Sequence, residues 1–102
     1  MPYTTINKQT DYTNLWTGNG ADNRAITGVG FQPDWVWIKN RDSGSMWHQL
    51  QDAVRGSGKN IYSNRTNAES ATTTALKSFD SDGFTIGTST GVNENGSDTV
   101  SW

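Results

Sequence analysis

Turns rich in glycine, asparagine and aspartate interrupt the chain at residues 17–20, 28–30, 42–44, 56–58, 80–83 and 93–96. The segments between them are short, and in them apolar and polar residues alternate or apolar residues cluster. Strong helix formers are scarce, and short strands at this spacing are typical of antiparallel sandwiches and barrels. We therefore predict an all-β, antiparallel fold. The predicted strands cover residues 12–16, 24–29, 35–41, 46–54, 61–63, 76–79, 84–87 and 98–102.

Three segments carry more specific expectations. Residues 35–38 are apolar at every position, which predicts a central strand covered on both faces. Residues 66–69 have the order of a helix capping box, but the β-branched residues that follow allow at most one helical turn. Residues 80–83 lie between two apolar segments, and Gly83 can adopt a backbone conformation that a hairpin turn requires.

The composition fits a small folded domain. Only 31% of the 102 residues are hydrophobic and 18% are charged, yet five Trp, three Tyr and three Phe are present. Each large ring buries about 150–250 Å² when packed, which partly offsets the shortage of aliphatic residues. No apolar run approaches the roughly 18 residues of a membrane-spanning helix, and no internal repeat or linker divides the chain.

The charge pattern argues against nucleic acid and anionic membranes as partners. The formal net charge is −2, and the basic residues are scattered between Lys8 and Lys77. A protein that binds phosphate backbones usually presents a basic face instead. Arg41, Arg55, Lys59 and Arg65 either form a local patch or stand as isolated solvated charges, and the second interpretation is favoured.

The residues do not single out a catalytic, metal or cofactor site. Cysteine is absent and His48 is the only histidine, so one chain cannot build a histidine metal cluster. His48 and Asp52 are four residues apart on one predicted strand, roughly 13 Å at strand spacing, too far for a direct hydrogen bond. Asp80 and Asp82 lack the further ligands of a calcium loop. We expect neither a metal nor a cofactor, and no enzymatic activity.

The tryptophans have the clearest potential for binding. Exposed tryptophan rings stack on sugars, but Trp35 and Trp37 lie within the apolar strand and are expected in the core. Trp47 adjoins a glycine-containing loop and is the better candidate for an exposed ring, with core packing or a subunit interface as the favoured alternative. The candidate contacts with a glycan or a subunit are Trp47, His48, Arg41 and Arg55.

Five sequence blocks, in order, resemble a known family. They are residues 28–41, 48–56, 64–69, 78–87 and 91–93, followed by the aromatic Trp102. Together they are similar to a domain of tail-fibre and other virion surface proteins of tailed bacteriophages, especially phages of marine bacteria and cyanobacteria. The resemblance implies a β-sandwich of jelly-roll or lectin-like type over residues 12–102, alone or as the N-terminal module of a longer chain, after an N-terminal arm of residues 1–11.

The resemblance also implies a function. It indicates a non-enzymatic structural and adhesion module in a tail fibre or similar appendage of the virion, assembled in the host cytoplasm. The expected partners are further copies of the chain, with a trimer favoured, and other virion proteins. The alternatives are a capsid decoration protein or head fibre, and a carbohydrate-binding module that contacts host surface glycans. In such a sandwich, the expected core residues are Phe31, Trp35, Trp37, Leu50, Val54, Phe79, Phe84 and Ile86.

Overall fold

The computed structural model of the protein describes residues 13–102, so Tyr12 of the first predicted strand and the predicted arm of residues 1–11 lie outside the described residues. Nine strands and one short helix form within this part of the chain. In chain order they are β1 (Asn14–Thr17), β2 (Arg24–Ile26), β3 (Trp35–Asn40), β4 (Gln49–Asp52), β5 (Lys59–Tyr62), β6 (Ser70–Ala71), β7 (Leu76–Asp80), β8 (Gly83–Ile86), α1 (Thr90–Asn93) and β9 (Asp98–Ser101).

The strands form two antiparallel sheets. The larger sheet has the order β1-β9-β3-β4-β5-β6, and the smaller has the order β2-β8-β7. A single apolar cluster joins them, with Val36 and Ile38 from the larger sheet against Phe84 and Ile86 from the smaller one, and Val92 from α1. The prediction of an all-β antiparallel sandwich is confirmed.

The predicted hairpin at residues 80–83 is also confirmed, as the connection between β7 and β8. A side chain at Gly83 would collide with the carbonyl oxygen of Ile26 on the neighbouring strand, so only glycine fits there. The carboxylate of Asp82 accepts hydrogen bonds from the backbone N–H groups of Gly28 (3.0 Å) and Gly30 (2.7 Å). These bonds, that of Gly30 first, lower the pKa of Asp82, and they give this acid a structural role.

The prediction that β3 is covered on both faces is wrong. The side chains of Val36 and Ile38 face the smaller sheet and are buried, whereas Trp35 on the opposite face is 47% exposed and Trp37 is half-buried. The three-stranded sheet and α1 cover only the inner face of β3 within residues 13–102. The apolar residues on the two faces of this strand therefore have different surroundings: one face is covered by the smaller sheet, and the other is open.

The predicted orientation of β4 is wrong as well. Leu50 was expected in the core, but Leu50 pairs with the outward-facing Trp37, and Gln51 pairs with the buried Val36. Because side chains alternate along a strand, this register turns Gln49 and Gln51 inward and Leu50 outward. Val54 lies in the turn beyond the end of β4 and is 96% exposed.

The remaining expectations for the core have mixed outcomes. Phe84 and Ile86 are buried as predicted, and Phe79 packs against the cluster from a partly buried position. Phe31 is half-buried. Residues 66–69 form a loop in which Glu69 accepts a hydrogen bond from Arg55, so the capping-box pattern does not start a helix there.

Gln51 is a polar residue whose replacement should stabilise the protein. Its side chain is fully buried, and neither its Nε2 nor its Oε1 has a hydrogen-bond partner within residues 13–102. Gln51→Leu keeps the approximate volume and removes two unsatisfied polar atoms, so the free energy of unfolding should rise by about 1–3 kcal/mol. Urea denaturation measures this change.

Gln49→Leu provides the matched control for this measurement. Gln49 is also buried and faces inward from the same strand, but its Oε1 accepts a hydrogen bond of 3.1 Å from Asn60 Nδ2. Its replacement leaves the Asn60 amide without this partner, so the free energy of unfolding should fall. Equal effects of the two substitutions would contradict the assignment of Gln51 as unsatisfied.

Candidate functional site

The outer face of the larger sheet carries a row of large apolar side chains. The strand register places Trp37 opposite Leu50, and Leu50 opposite Ile61. Trp102 extends the row on the other side of β3, because its backbone exchanges two hydrogen bonds with that of Trp37, at 2.8 and 2.9 Å. Directly opposed residues in antiparallel strands lie on the same face of a sheet. We call Trp35, Trp37, Leu50, Ile61 and Trp102 the aromatic face.

The rings of this face pack against one another and still reach solvent. The centroid of Trp37 lies 5.4 Å from that of Trp102 and 6.1 Å from that of Trp35. Trp35 and Trp102 are nonetheless 47% and 45% exposed. On β1, next to this row, Leu15 is 65% exposed and pairs with Val100. Contiguous exposed apolar surface of this kind marks an interaction site in soluble proteins.

His48 orients the central ring of the aromatic face. Its Nδ1 accepts a hydrogen bond of 2.9 Å from Trp37 Nε1, and its ring lies 5.4 Å from that of Trp37. This bond requires an unprotonated Nδ1. Partial burial, and secondarily the charge of Lys39, lower the pKa of His48 and so favour the neutral form.

Trp47 belongs to a second site, at the end of the same sheet. Its ring packs edge-on against Tyr62, with 5.0 Å between the centroids, and the guanidinium of Arg65 lies 4.1 Å from the ring centroid. Trp47 and Tyr62 form one wall of a groove of about 240 Å³. We call this the Trp47 groove. The remaining residues that line it are Ser45, Met46, Gln49, Ser89, Thr90 and Gly91.

The four predicted contact residues do not form one site. Trp47 lines the groove together with the inward-facing Gln49, whereas His48 lies on the outer face beside Trp37. Arg55 is held by Asp52 at 2.6 Å and by Glu69 at 3.0 Å, so its charge is compensated. Arg41 is exposed at the end of β3, where its backbone N–H donates to Asp98.

Sequence reasoning missed several residues of both sites. Tyr62 and Gln49 were not singled out, and Arg65 was considered as one of four basic residues that either form a local patch or stand as isolated solvated charges. Trp47 and Arg65 are 18 residues apart, and their contact depends on the pairing of β4 with β5. The alternation of Leu50 with Gln49 and Gln51 was a usable signal for the aromatic face, but it does not say which side faces inward.

Two acids of the sandwich serve structural contacts. The pKa of Asp52 is lowered, first by the backbone N–H of Arg55 and then by its guanidinium. Asp80 accepts hydrogen bonds from the hydroxyls of Ser78 (2.8 Å) and Thr85 (2.6 Å). Residues 13–102 contain no cluster of three or more His, Asp or Glu side chains that could hold a metal ion. The one helix in this range, α1, lacks the length and apolar character to cross a membrane.

A family model described as a domain of unknown function, DUF7483, matches residues 8–102. No curated protein and no solved structure matches the chain.

Proposed function

We propose that this chain, which belongs to the DUF7483 family of domains of unknown function, is a non-enzymatic structural and adhesion module of a bacteriophage virion appendage. The appendage is a tail fibre or a similar structure, and the chain acts in it as a homo-oligomer. The order of the five sequence blocks supports the place in a virion.

The observation that carries the proposal is the aromatic face. Two tryptophans nearly half exposed, together with Ile61 and Leu15, form apolar surface that residues 13–102 do not cover. Burying apolar surface is favourable by about 25 cal/mol per Å², so a second subunit on this face would add stability that the small core lacks. Aromatic residues are also enriched in the centres of protein interfaces.

The hydrogen bonds that the histidine and several aspartates already form within the protein support a non-enzymatic role. The single histidine accepts a hydrogen bond from Trp37, and Asp52, Asp80 and Asp82 each hold a neighbouring side chain or loop. A general base must be free to take a proton from a bound substrate. Each of these groups instead fixes a local conformation, as expected in a module that provides shape and contact surface.

A capsid decoration protein or head fibre is the closest alternative, because such proteins need the same stable sandwich and the same subunit contacts. The other virion proteins are the expected partners in either case. A cryo-electron microscopy map of the virion that contains this chain distinguishes the two, since it shows density for the sandwich on the tail or on the head. Absence of the chain from purified virions would contradict both.

Ile61→Lys should weaken the assembly. Ile61 is exposed at the edge of the aromatic face, so lysine fits there in the isolated subunit, but in an interface it would bury a charge among apolar groups. We expect the wild-type protein to form an oligomer in size-exclusion chromatography with light scattering. The dissociation constant of Ile61→Lys should rise by at least about tenfold, equal to about 1.4 kcal/mol.

Val54→Lys is the matched control, because Val54 is 96% exposed in the turn after β4 and the substitution adds the same charge. It should leave the oligomer intact. A wild-type protein that stays monomeric at all concentrations would overturn the assembly proposal. Equal weakening by both substitutions would show that added charge, and not the aromatic face, governs association.

A further inference from the structure

Arg65 carries a charge that no acid compensates within residues 13–102. The ion pairs in this range join Arg55 to Asp52 and Glu69, and Lys77 to Asp22. Among the described residues, Arg65 instead donates one long side-chain hydrogen bond, from Nε to Asn67 Oδ1 at 3.4 Å. Arg65 differs in this respect from Arg55, whose charge is compensated by Asp52 and Glu69.

The guanidinium of Arg65 is held in a defined position by Trp47. It lies 4.1 Å from the centroid of the indole, a distance at which the ring attracts a cation. Stacking engages the face of the guanidinium and leaves the N–H groups at its edge available. Those groups form a planar fork that matches the two oxygens of a carboxylate.

Two openings meet at this pair of side chains. Trp47 forms a wall of the Trp47 groove, and Arg65 lines an open cleft together with Ser63, Asn64 and Thr66. Among the described residues that line the groove and the cleft, none is acidic. An anion in the cleft would therefore meet a cation, hydroxyl groups and an amide, without a repelling carboxylate.

The Trp47 groove provides the contacts that a sugar ring needs. Trp47 and Tyr62 supply aromatic surface, and Ser45, Ser89 and Thr90 supply hydroxyl groups. Gln49 is more than nine-tenths buried, and its Oε1 is taken by Asn60, so its Nε2 is the atom that lies against Gly91 in the groove wall. The volume of about 240 Å³ is below the range of roughly 300–1,000 Å³ typical of drug-sized ligands, which suits a single ring.

We propose that the Trp47 groove and the adjoining cleft bind an acidic oligosaccharide, with one sugar ring against Trp47 and Tyr62 and a carboxylate on Arg65. The free charge of Arg65 distinguishes this ligand from a neutral glycan, because a neutral sugar would leave the guanidinium without a counter-charge. The proposal does not depend on the place of the protein in a virion or on its oligomeric state.

The test compares binding to acidic oligosaccharides with binding to their methyl esters. Wild-type protein is applied to an array of oligosaccharides that contain uronic or sialic acids, each beside its esterified form, and the best ligand is titrated while the NMR signal of the Trp47 indole N–H is followed. Saturable binding that shifts this signal is expected for the acid. The ester should bind at least about tenfold more weakly, because charge-assisted hydrogen bonds contribute more than neutral ones.

Arg65→Ala and Lys59→Ala form the matched pair of variants, since both residues are exposed and each substitution removes one positive charge, but Lys59 lines neither the groove nor the cleft. Arg65→Ala should weaken binding of the acid by at least about tenfold, and Lys59→Ala should leave it unchanged. Failure of every acidic glycan to bind would overturn the proposal, as would equal binding of acid and ester. Equal losses in the two variants would assign the effect to net charge and would also overturn it. None of these outcomes bears on the oligomer tested through Ile61.

Discussion

Aspartate in place of Asn93 should reduce the free energy of unfolding by about 3–5 kcal/mol, because the substitution buries a charge that is only partly compensated. Asn93 is completely buried. Its Nδ2 donates to Asn19 Oδ1 (3.2 Å), to the carbonyl of Ala21 (2.8 Å) and to the carbonyl of Gly87 (3.2 Å). An aspartate has the same shape but would place a carboxylate oxygen against these three oxygens.

The oxygen of the same amide accepts hydrogen bonds from other partners. Asn93 Oδ1 accepts hydrogen bonds from the backbone N–H of Asn19 (3.0 Å) and from Arg24 Nη1 (3.2 Å). An aspartate keeps these two contacts, and Arg24 offsets part of its charge. The loss therefore arises at the Nδ2 position, where three acceptors lose their donor. The loop between β1 and β2, the end of β8 and α1 all depend on this one side chain.

Lowering the pH should relieve the defect of Asn93→Asp. We expect the pKa of the introduced carboxyl to be raised above the value of about 3.9 in the unfolded chain, because burial disfavours its charged form and the neutral acid can donate to one of the facing oxygens. A raised pKa in the folded state means that the penalty is largest at neutral pH and falls as the carboxyl is protonated. Urea unfolding of wild type and variant at several pH values measures the difference. Asn95→Asp, at an exposed position, should show little effect, and a neutral result for Asn93→Asp would contradict the role of Asn93.

The parts of the fold that were predictable depend on local interactions. The hairpin at residues 80–83 follows from Gly83 and its flanking apolar segments, which form β7 and β8, and the segment of β3 follows from its short apolar run. A turn and its adjoining strands lie within about ten residues of sequence. Their geometry is determined by backbone preferences that single residues carry.

The orientation of the larger sheet was not predictable in this way. In β4 one face carries Leu50 and the other carries Gln49 and Gln51, and the usual rule directs leucine inward. The register with β3 overrides that rule, because it places Leu50 opposite the outward-facing Trp37 and Gln51 opposite the inward-facing Val36. The same holds for Arg65, whose contact with Trp47 depends on how two strands pair.

In three strands of the larger sheet, polar residues are buried on the inner face, while an apolar residue lies beside a charged one on the outer face. Gln51, Asn60 and Thr99 are buried and face inward, while Leu50, Ile61 and Val100 occupy the outer face. Burial of unsatisfied amides lowers the stability of the fold, and indole rings that stay exposed contribute no stabilisation from burial. An isolated subunit gains little from this arrangement, whereas an assembly in which the outer face is covered gains the burial of that apolar surface. This balance supports the proposed oligomer.

Truncation of Phe84 should lower the free energy of unfolding about as much as replacement of Asn93 by aspartate. Phe84 is 2% exposed and connects the two sheets, since its ring packs edge-on against Trp16 of β1 with 5.9 Å between the centroids. Phe84→Ala should lower the free energy of unfolding by about 3–5 kcal/mol, as found for phenylalanine in protein cores. The upper end is expected, because Phe84 already lines a partly open pocket of about 240 Å³ together with Val29 and Val36, and truncation extends this pocket into the interior.

Phe79→Ala separates this cavity effect from the loss of any aromatic ring. Phe79 pairs directly with Phe84 across β7 and β8, but it is only partly buried at the margin of the same cluster. Its truncation should reduce the free energy of unfolding by roughly half as much, because less apolar area is removed from the interior. Urea denaturation measures the two losses, and the slope of the free energy of unfolding against urea concentration should be the same in both variants as in the wild type. A smaller loss for Phe84→Ala than for Phe79→Ala would mean that the sheets close over the site, and the cavity would then not limit the stability of the sandwich.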